Sequence, residues 1–488
     1  MTRKRFLGAL AGVATASPAL SQKARRNIVF ILTDDHRYDF AGALGHPWLK
    51  TPNLDRLIHN GAVFRNAFVT SSLCSPSRAS ILTGLYAHAH RVTDNFTPLD
   101  PRIPTFPGLL RSAGYRTAFI GKWHMGGGSD QAQPGFDHWV SFFGQGQYYD
   151  PEINFNGQRR KVQGYMTDIL TQEALRYLRE NASQPFFLYL SHKAVHYPFE
   201  PAPRHKDLYR LDPVPHPKSM NFTEEDARQR PEWVRRRRYS RQGVDGIYAH
   251  QISFDEAYRG YCRSLAAVDD SVGAILDELA KLGLLDDTLV IYMGDNGFMW
   301  GEHGLIDKRA MYEPSIRVPL WVHCPRLAPR GRVIPEMVLN LDIAPTILEA
   351  AGVKPPASMH GRSLLPLLGG AQKEWRKDFL YEYEWEIDYP YTPTLTGLRT
   401  ERYSYCQTFG LWDLDELYDI QEDPDQMKNL LGAYRITLQR GRLTEHITDP
   451  KLKTLVESLQ ERMKHILEQT GGDPRRSGRS PEGLKYAL

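Results

Sequence analysis

The chain has 488 residues, with 61 basic and 57 acidic side chains and a formal charge of +4. Its 41% hydrophobic and 24% charged residues describe an ordinary globular protein, which excludes a disordered, collagen-like or coiled-coil chain. The small charge gives no global reason to expect nucleic acid, and four cysteines exclude a disulfide-dense scaffold. The first predicted element is a leader. Thr2-Arg3-Lys4-Arg5 precedes an apolar stretch, Phe6 to Leu20, that ends in small residues including Ala14-Thr15-Ala16. The stretch is too short to span a bilayer, which takes about 20 residues. The order basic, apolar, small is that of a bacterial secretory signal. Residues 1–26 are therefore expected to be a signal peptide. It looks like a twin-arginine signal in which Lys4 stands where the second arginine belongs. The mature protein is expected to be exported, periplasmic or secreted, with no stable membrane insertion.

Asn27 to Thr33 is a continuous apolar, β-branched run that reads as a buried parallel strand. Thr117 to Ile120, Pro185 to Leu190, Thr288 to Met293 and Val318 to Val322 are similar runs. Helical patterns lie between them at Asn53 to Asn60, Thr167 to Glu180 and Asp255 to Leu282, the last followed by Gly283 as a C-cap. Strands alternating with helices predict an α/β fold, a mostly parallel sheet covered on both faces, with ligands at the carboxyl ends of the strands. Pro201 to Gly246 interrupts the pattern and reads as a long loop or insertion rich in arginine. From about Trp375 the composition turns Tyr-rich, with β segments at Phe379 to Trp385 and Leu395 to Gln407, then a helix over Asp449 to Gln469 and a polar tail over Gly471 to Pro481. The expected division is a catalytic domain over 27–374 and a smaller C-terminal α+β domain over 375–488.

Polar clusters stand where apolar strands end. Asp34-Asp35 places two carboxylates together, which is costly to bury without a cation. Asp295-Asn296-Gly297 ends the strand that closes at Met293 and adds two oxygen ligands. Four oxygen ligands at two strand ends predict a hard divalent cation, Ca²⁺ or Mg²⁺, over zinc. Cys74-Ser75-Pro76-Ser77-Arg78 with Thr83-Gly84 places a cysteine beside a helix start, where an anion is favoured. Without further knowledge it reads as a reactive thiol or as a buried structural cysteine. Cys262 and Cys324 read as core residues, and Cys406 completes the four with no disulfide framework implied.

Cys74-Ser75-Pro76-Ser77-Arg78 with Thr83-Gly84 resembles the signature of the formylglycine-dependent sulfatases of the alkaline-phosphatase-like superfamily. The family's other motifs follow in order: Asp34-Asp35, Gly121-Lys122-Trp123-His124, His196-Tyr197-Pro198, Gly294-Asp295-Asn296-Gly297, and Gly301-Glu302-His303-Gly304 with Lys308. The resemblance covers about Asn27 to Asp425, including Leu417-Tyr418-Asp419 and Asp423-Pro424. It implies that Cys74 is oxidised to formylglycine (3-oxoalanine) by a formylglycine-generating enzyme or an anaerobic maturase, and that the aldehyde hydrate is the nucleophile. It further implies a cation, Ca²⁺ ahead of Mg²⁺, on Asp34, Asp35, residue 74, Asp295 and Asn296. Arg78 would orient the hydrate. Lys122 and Lys308 would bind the sulfate oxygens. His196, with Lys308, would protonate the departing oxygen, and His124 would take the proton that lets sulfate leave by elimination.

Relatives often carry a Pro-His-x-Pro order where this chain has Val195-His196-Tyr197-Pro198. His192 competes for the role, and His196 is preferred. His303 is expected either to contact substrate or to pack its turn. Phe143-Gly144-Gln145-Gly146-Gln147-Tyr148-Tyr149, and Trp233-Val234-Arg235 with Gly243-Val244-Asp245, resemble bacterial carbohydrate sulfatases, some of which act on the 6-sulfate of N-acetylglucosamine in glycosaminoglycan or mucin. The partner implied is a sulfated sugar. The arginines between Arg228 and Arg241 would suit a polyanionic glycan or form a solvated basic loop, and Trp385, Tyr389 and Tyr391 would stack on sugars or pack a domain interface. Two alternatives are a phosphonate or phosphate monoester hydrolase of the same superfamily and a sulfated-glycan-binding protein in which Cys74 is never converted. The intact Cys-x-Pro-Ser-Arg spacing argues against the second.

Overall fold

The computed structural model describes residues 25–370, 374–409, 413–434 and 446–477. The expected leader lies outside them except for Arg25 and Arg26, and so does the polar tail from 478. In chain order the strands are β1 (Ile28–Thr33), β2 (Ala62–Phe68), β3 (Arg116–Gly121), β4 (His138–Ser141), β5 (Glu152–Phe155), β6 (Gln158–Lys161), β7 (Phe186–His192) and β8 (Leu289–Gly294). There follow β9 (Met299–Trp300), β10 (Ile306–Asp307), β11 (Leu320–His323) and β12 (Arg332–Leu339), then β13 (Asp378–Tyr383), β14 (Thr394–Thr400), β15 (Tyr403–Phe409) and β16 (Glu416–Asp419). A ten-stranded sheet runs β12-β2-β11-β8-β1-β7-β3-β4-β5-β6. Its centre, β8 through β4, is parallel, while β11 and the β5–β6 hairpin pair antiparallel.

Alternation along β1 shows why the centre is apolar throughout. Val29 and Ile31 join one core with the helices Pro52–Asn60, Met166–Asn181 and Phe254–Lys281. Ile28, Phe30 and Leu32 join a second core with Cys74–Thr83, Phe106–Ser112 and Ile343–Ala350. A strand covered on both faces has no place for polar residues, so each runs apolar until it reaches the sheet edge. The longest helix starts where Ser253 Oγ accepts from the backbone of Glu256 at 3.3 Å and carries Asp255 and Glu256 in its first turn, as a capped helix should.

The four strands β13-β14-β15-β16 form a separate antiparallel sheet, backed by the helix Pro450–Thr470. Residues of that sheet and helix share a third core with Phe68, Leu73, Tyr86, Met299 and Tyr312 of the larger part. The expected β segment Leu395 to Gln407 is two strands, with Glu401 and Arg402 in the turn between them. The insertion Pro201 to Gly246 holds the short helices Glu224–Arg228 and Glu232–Arg237. Its arginines are mostly committed to the protein. Arg237 is buried and donates to the carbonyls of Ile306 and Lys308, Arg238 pairs with Asp245, and Arg235 and Arg236 pair with Glu232. Arg228, Arg236 and Arg241 stay exposed, so the insertion is part internal strut and part solvated basic surface.

Candidate active site

Four segments meet at the carboxyl edge of the sheet because their strands end level. Thr33 pairs with His192 and Gly294, and Gly121 pairs with Ser191. Asp34-Asp35, Lys193 to His196, Asp295-Asn296 and Lys122 to His124 therefore emerge side by side. Gly121 is required for this. Its φ is +127°, and a Cβ there would lie 1.8 Å from the Ser191 carbonyl oxygen. The helix Cys74–Thr83 supplies the fifth segment. Cys74 is its first residue, Pro76 stands in its first turn, and Gly84 ends it in the left-handed region at φ +69°. The Ser75 amide, one of the helix's unpaired donors, gives its hydrogen to Asn95 Oδ1 at 3.1 Å.

The buried charges are paired across these segments. Cys74 Sγ lies 3.4 Å from Asp34 Oδ1, and Cys74, Asp34 and Asp295 offer ligand atoms within 4.8 Å of one another. Lys122 Nζ pairs with Asp34 and donates to Gln145 Oε1 at 2.6 Å. Lys308 Nζ donates to both oxygens of Asp35, at 2.6 and 2.7 Å. Arg78 reaches Asp295 Oδ2 through Nε at 2.9 Å and through Nη2 at 2.8 Å. Its Nη1 donates to the Lys122 carbonyl at 2.6 Å and to Ser191 Oγ at 2.7 Å. Asn296 Nδ2 donates to Asp35 Oδ1 at 2.7 Å, which leaves Asn296 Oδ1 buried with no hydrogen-bond partner. An unpaired amide oxygen beside three buried carboxylates is the donor chemistry of a hard divalent cation. The residues present fit one.

Electrostatics separate the groups by role. Burial alone would raise Asp34, but Lys122, His196 and Arg78 hold it well below the usual carboxylate range. Burial pushes Asp35 up to about 7 despite Lys308, with Asp34 and Asp295 adding repulsion. Burial, then Asp34, also raises Asp295. Burial and mutual repulsion thus raise Asp35 and Asp295 even with Lys308 and Arg78 beside them, which a bound cation would offset. Burial, then Asp34, pushes the Cys74 thiol far up, so the unmodified sulfur stays protonated and is a poor nucleophile. Burial, then Lys122, holds His124 well below its ordinary value; burial, then Lys308 and Lys122, does the same for His196.

The two histidines stand apart. His196 Nδ1 donates to the Tyr197 carbonyl at 2.7 Å, which leaves Nε2 facing the site 3.9 Å from Asp35 Oδ2. His124, at φ +69°, lies with Nδ1 3.4 Å from Ser75 Oγ, on the Cys74 side. His192 is turned to the opposite face of the sheet, where Nε2 meets Ser271 Oγ at 3.1 Å on the long helix. His303 does not line the site. Its buried ring stacks on Tyr312 at 3.9 Å between centroids and its Nδ1 meets Arg230, which supports packing of the turn, the second of its two expected roles, over substrate contact. Gln145, Ser191 and Lys193 were not singled out for a role. Gln145 lies within the Phe143–Tyr149 motif, whereas Lys193, buried with its ammonium 4.6 Å above the Tyr148 ring, carries no sequence signal beyond standing between a strand end and His196. Tyr389 lies over the Arg309 guanidinium at 3.4 Å, while Trp385 and Tyr391 are exposed. All four cysteines are buried and free.

A sheet edge that brings Arg78, Lys122 and Lys308 to the buried carboxylates beside Cys74 suits an anionic ester. Fold and site together define a metal-assisted hydrolase of the alkaline-phosphatase-like class. The chain belongs to the sulfatase family: the family model described as Sulfatase matches residues 26–353, and the model described as N-sulphoglucosamine sulphohydrolase, C-terminal, matches 301–465. It is a sulfuric ester hydrolase. It is 33% identical to an N-acetylglucosamine-6-O-sulfatase of Bacteroides thetaiotaomicron, over 87% of this chain and 86% of that one. It is 32% identical to the human N-acetylglucosamine-6-sulfatase, over 83% and 81%. A solved structure, described as in complex with its substrate D-glucosamine-2-N,6-O-disulfate, matches with a TM-score of 0.82 at 29% identity, covering 92% of this chain and 99% of that one.

Proposed function

We propose that the protein removes the 6-O-sulfate of a glucosamine-type residue in a sulfated glycan, such as a glycosaminoglycan or mucin. The substrate class rests on the relatives named above. The observation that carries the chemistry is Cys74, seated at a helix start against Asp34 and kept as a thiol by its burial. Converted to formylglycine by a maturing enzyme, residue 74 supplies a hydrated aldehyde as nucleophile. Asp34, Asp35, Asp295, Asn296 and residue 74 would hold a divalent cation, Ca²⁺ ahead of Mg²⁺, which would supply positive charge to the hydrate and to the sulfate oxygens.

The chain's own residues do the rest. Arg78, fixed on Asp295 and the Lys122 carbonyl, orients residue 74 of the same helix. Lys122 and Lys308 bind the non-bridging oxygens, each able to turn from its carboxylate to the ester. His196 Nε2 gives a proton to the departing sugar oxygen, and an anion between Lys308 and Lys122 offsets the repulsion that keeps this ring neutral. His124, against Ser75, accepts the proton whose loss frees sulfate. The expected leader makes the protein an exported one, and we retain 27–374 and 375–488 as its two domains. The test is peptide mass spectrometry of residue 74 in protein co-produced with a maturing enzyme, together with turnover of N-acetylglucosamine 6-sulfate. Conversion and activity should rise together. Full activity with unmodified Cys74 would overturn the reading.

A further inference from the structure

We propose that Phe96 and Phe143 form an aromatic wall at the mouth of the site that takes the C–H face of the pyranose ring bearing the sulfate. The inference rests on the carbohydrate-sulfatase reading above. Both rings are large, apolar and open to solvent, Phe96 58% and Phe143 64% exposed. Exposed apolar rings need no explanation singly, but two on one spot mark an interaction surface. These two share a floor. A Cβ at Gly127 would lie 3.2 Å from the Phe96 ring, and one at Gly128 would lie 2.5 Å from the Phe143 ring. Each ring therefore lies over one of two neighbouring glycines.

That floor leads directly from the site. Gly127 and Gly128 follow His124 by three and four residues. Asn95, beside Phe96, holds the Ser75 amide at 3.1 Å, and its carbonyl accepts from Gly127 at 3.1 Å. Gln145, two residues after Phe143, holds Lys122 at 2.6 Å. The wall is built, not loose: Asp94 Oδ1 takes the amides of Phe96 and Thr97 at 2.8 and 2.7 Å, and Gly126 donates to the Thr97 carbonyl at 3.2 Å. Arg78, Lys122 and Lys308 of the inner site select the sulfate. A sugar carbon sits two bonds beyond the sulfur, so its ring leaves the site where these aromatics stand, and an aromatic face complements axial C–H groups.

The test uses the matured full-length enzyme and the variants Phe96→Ala, Phe143→Ala and Phe143→Trp, with N-acetylglucosamine 6-sulfate as substrate and inorganic sulfate as a competitive inhibitor. Each alanine variant should raise KM for the sugar sulfate, and the inhibition constant of the desulfated sugar, by about tenfold. The maximal rate and the inhibition constant of inorganic sulfate should stay within twofold, and Phe143→Trp should restore KM. Unchanged KM in both alanine variants would overturn the proposal. So would a parallel weakening of inorganic sulfate, which would show a collapsed loop. If the unaltered enzyme cleaves an aryl sulfate but no sugar sulfate, the carbohydrate reading fails and the wall falls with it.

Discussion

Asp34 and Asp35 are adjacent in the chain yet do different work, because their side chains meet different cations. Asp34 is ionised by Lys122 and Arg78, whereas Asp35 has Lys308 and two neighbouring carboxylates. The same logic divides the histidines. His196 Nε2 faces Asp35, and His124 stands by Ser75. His196→Ala should cut turnover of sugar sulfates by about 10²–10⁴-fold but spare activated aryl sulfates, whose leaving group needs no proton. His124→Ala should release one equivalent of sugar per enzyme and then stall. Rapid-quench kinetics on both ester types check this; equal losses with no burst would reverse the assignment. Asn296 makes a further case. Its Oδ1 bonds to nothing in the protein, so Asn296→Ala should weaken Ca²⁺ by about tenfold or more. The Ca²⁺-dependent rise in Tm, which follows RT ln(1 + [Ca²⁺]/Kd), reads that directly; an unchanged titration would remove Asn296 from the ligand set.

Each strand of the central sheet matters through where it stops. Gly121 sets the stop of β3, and its approach to Ser191 leaves no room for a methyl group. Gly121→Ala should cost at least about 3 kcal/mol, from a backbone clash added to a left-handed φ. Gly283→Ala, also at positive φ (+71°) but with open space around it, should cost only about 1–2 kcal/mol. Urea unfolding of the pair separates steric closeness from backbone conformation; equal losses would show that the approach of β3 to β7 is not tight. The central strands were legible in the sequence because both their faces are buried, so apolar runs continue to the point where a polar motif begins. Every expected strand from β1 to β11 formed within two residues of its expected ends. The strands that escaped lie at the rim of that centre, as β4 does, or outside it. In β2, Arg65 and Asn66 interrupt the run, and β6 is Gln-Arg-Arg-Lys with all four residues exposed. Their pairing comes from neighbours rather than from their own pattern. The site motifs were legible for the same reason as the strands, being the polar residues at which buried runs end. The orientation of His192, the packing of His303 and the contacts of Lys193 were not, since they depend on which sheet face or neighbour a side chain meets.

On the scale of the whole molecule, the antiparallel sheet and its helix are tied to the catalytic part just beyond Gly84. There His88, in the short helix Ala87–His90, stands between three elements. Its Nδ1 meets Glu382 Oε2 of β13 at 2.8 Å, and its Nε2 meets the Thr470 carbonyl, at the end of the helix Pro450–Thr470, at 3.1 Å. Both partners are acceptors, so both ring nitrogens must carry hydrogen and the imidazole is held as a cation. Burial opposes the charge, but the Glu382 hydrogen bond and carboxylate outweigh it, and the pKa lies above its ordinary value. Arg476, 3.6 Å from Glu382, tempers the shift, while His360, stacked on the same ring, is pushed down to about 4 by burial and stays neutral. The sign follows from linkage. A raised folded-state pKa gives stability that is complete below the unfolded value near 6.5 and is lost as pH rises through the folded value. His88→Gln should therefore destabilise the protein by about 1–2 kcal/mol at pH 5.5 and by less at pH 8.5. Denaturant unfolding of both proteins across that range gives the difference curve. A loss that does not shrink as pH rises would mean that His88 joins the two parts by packing alone, with no charge between them.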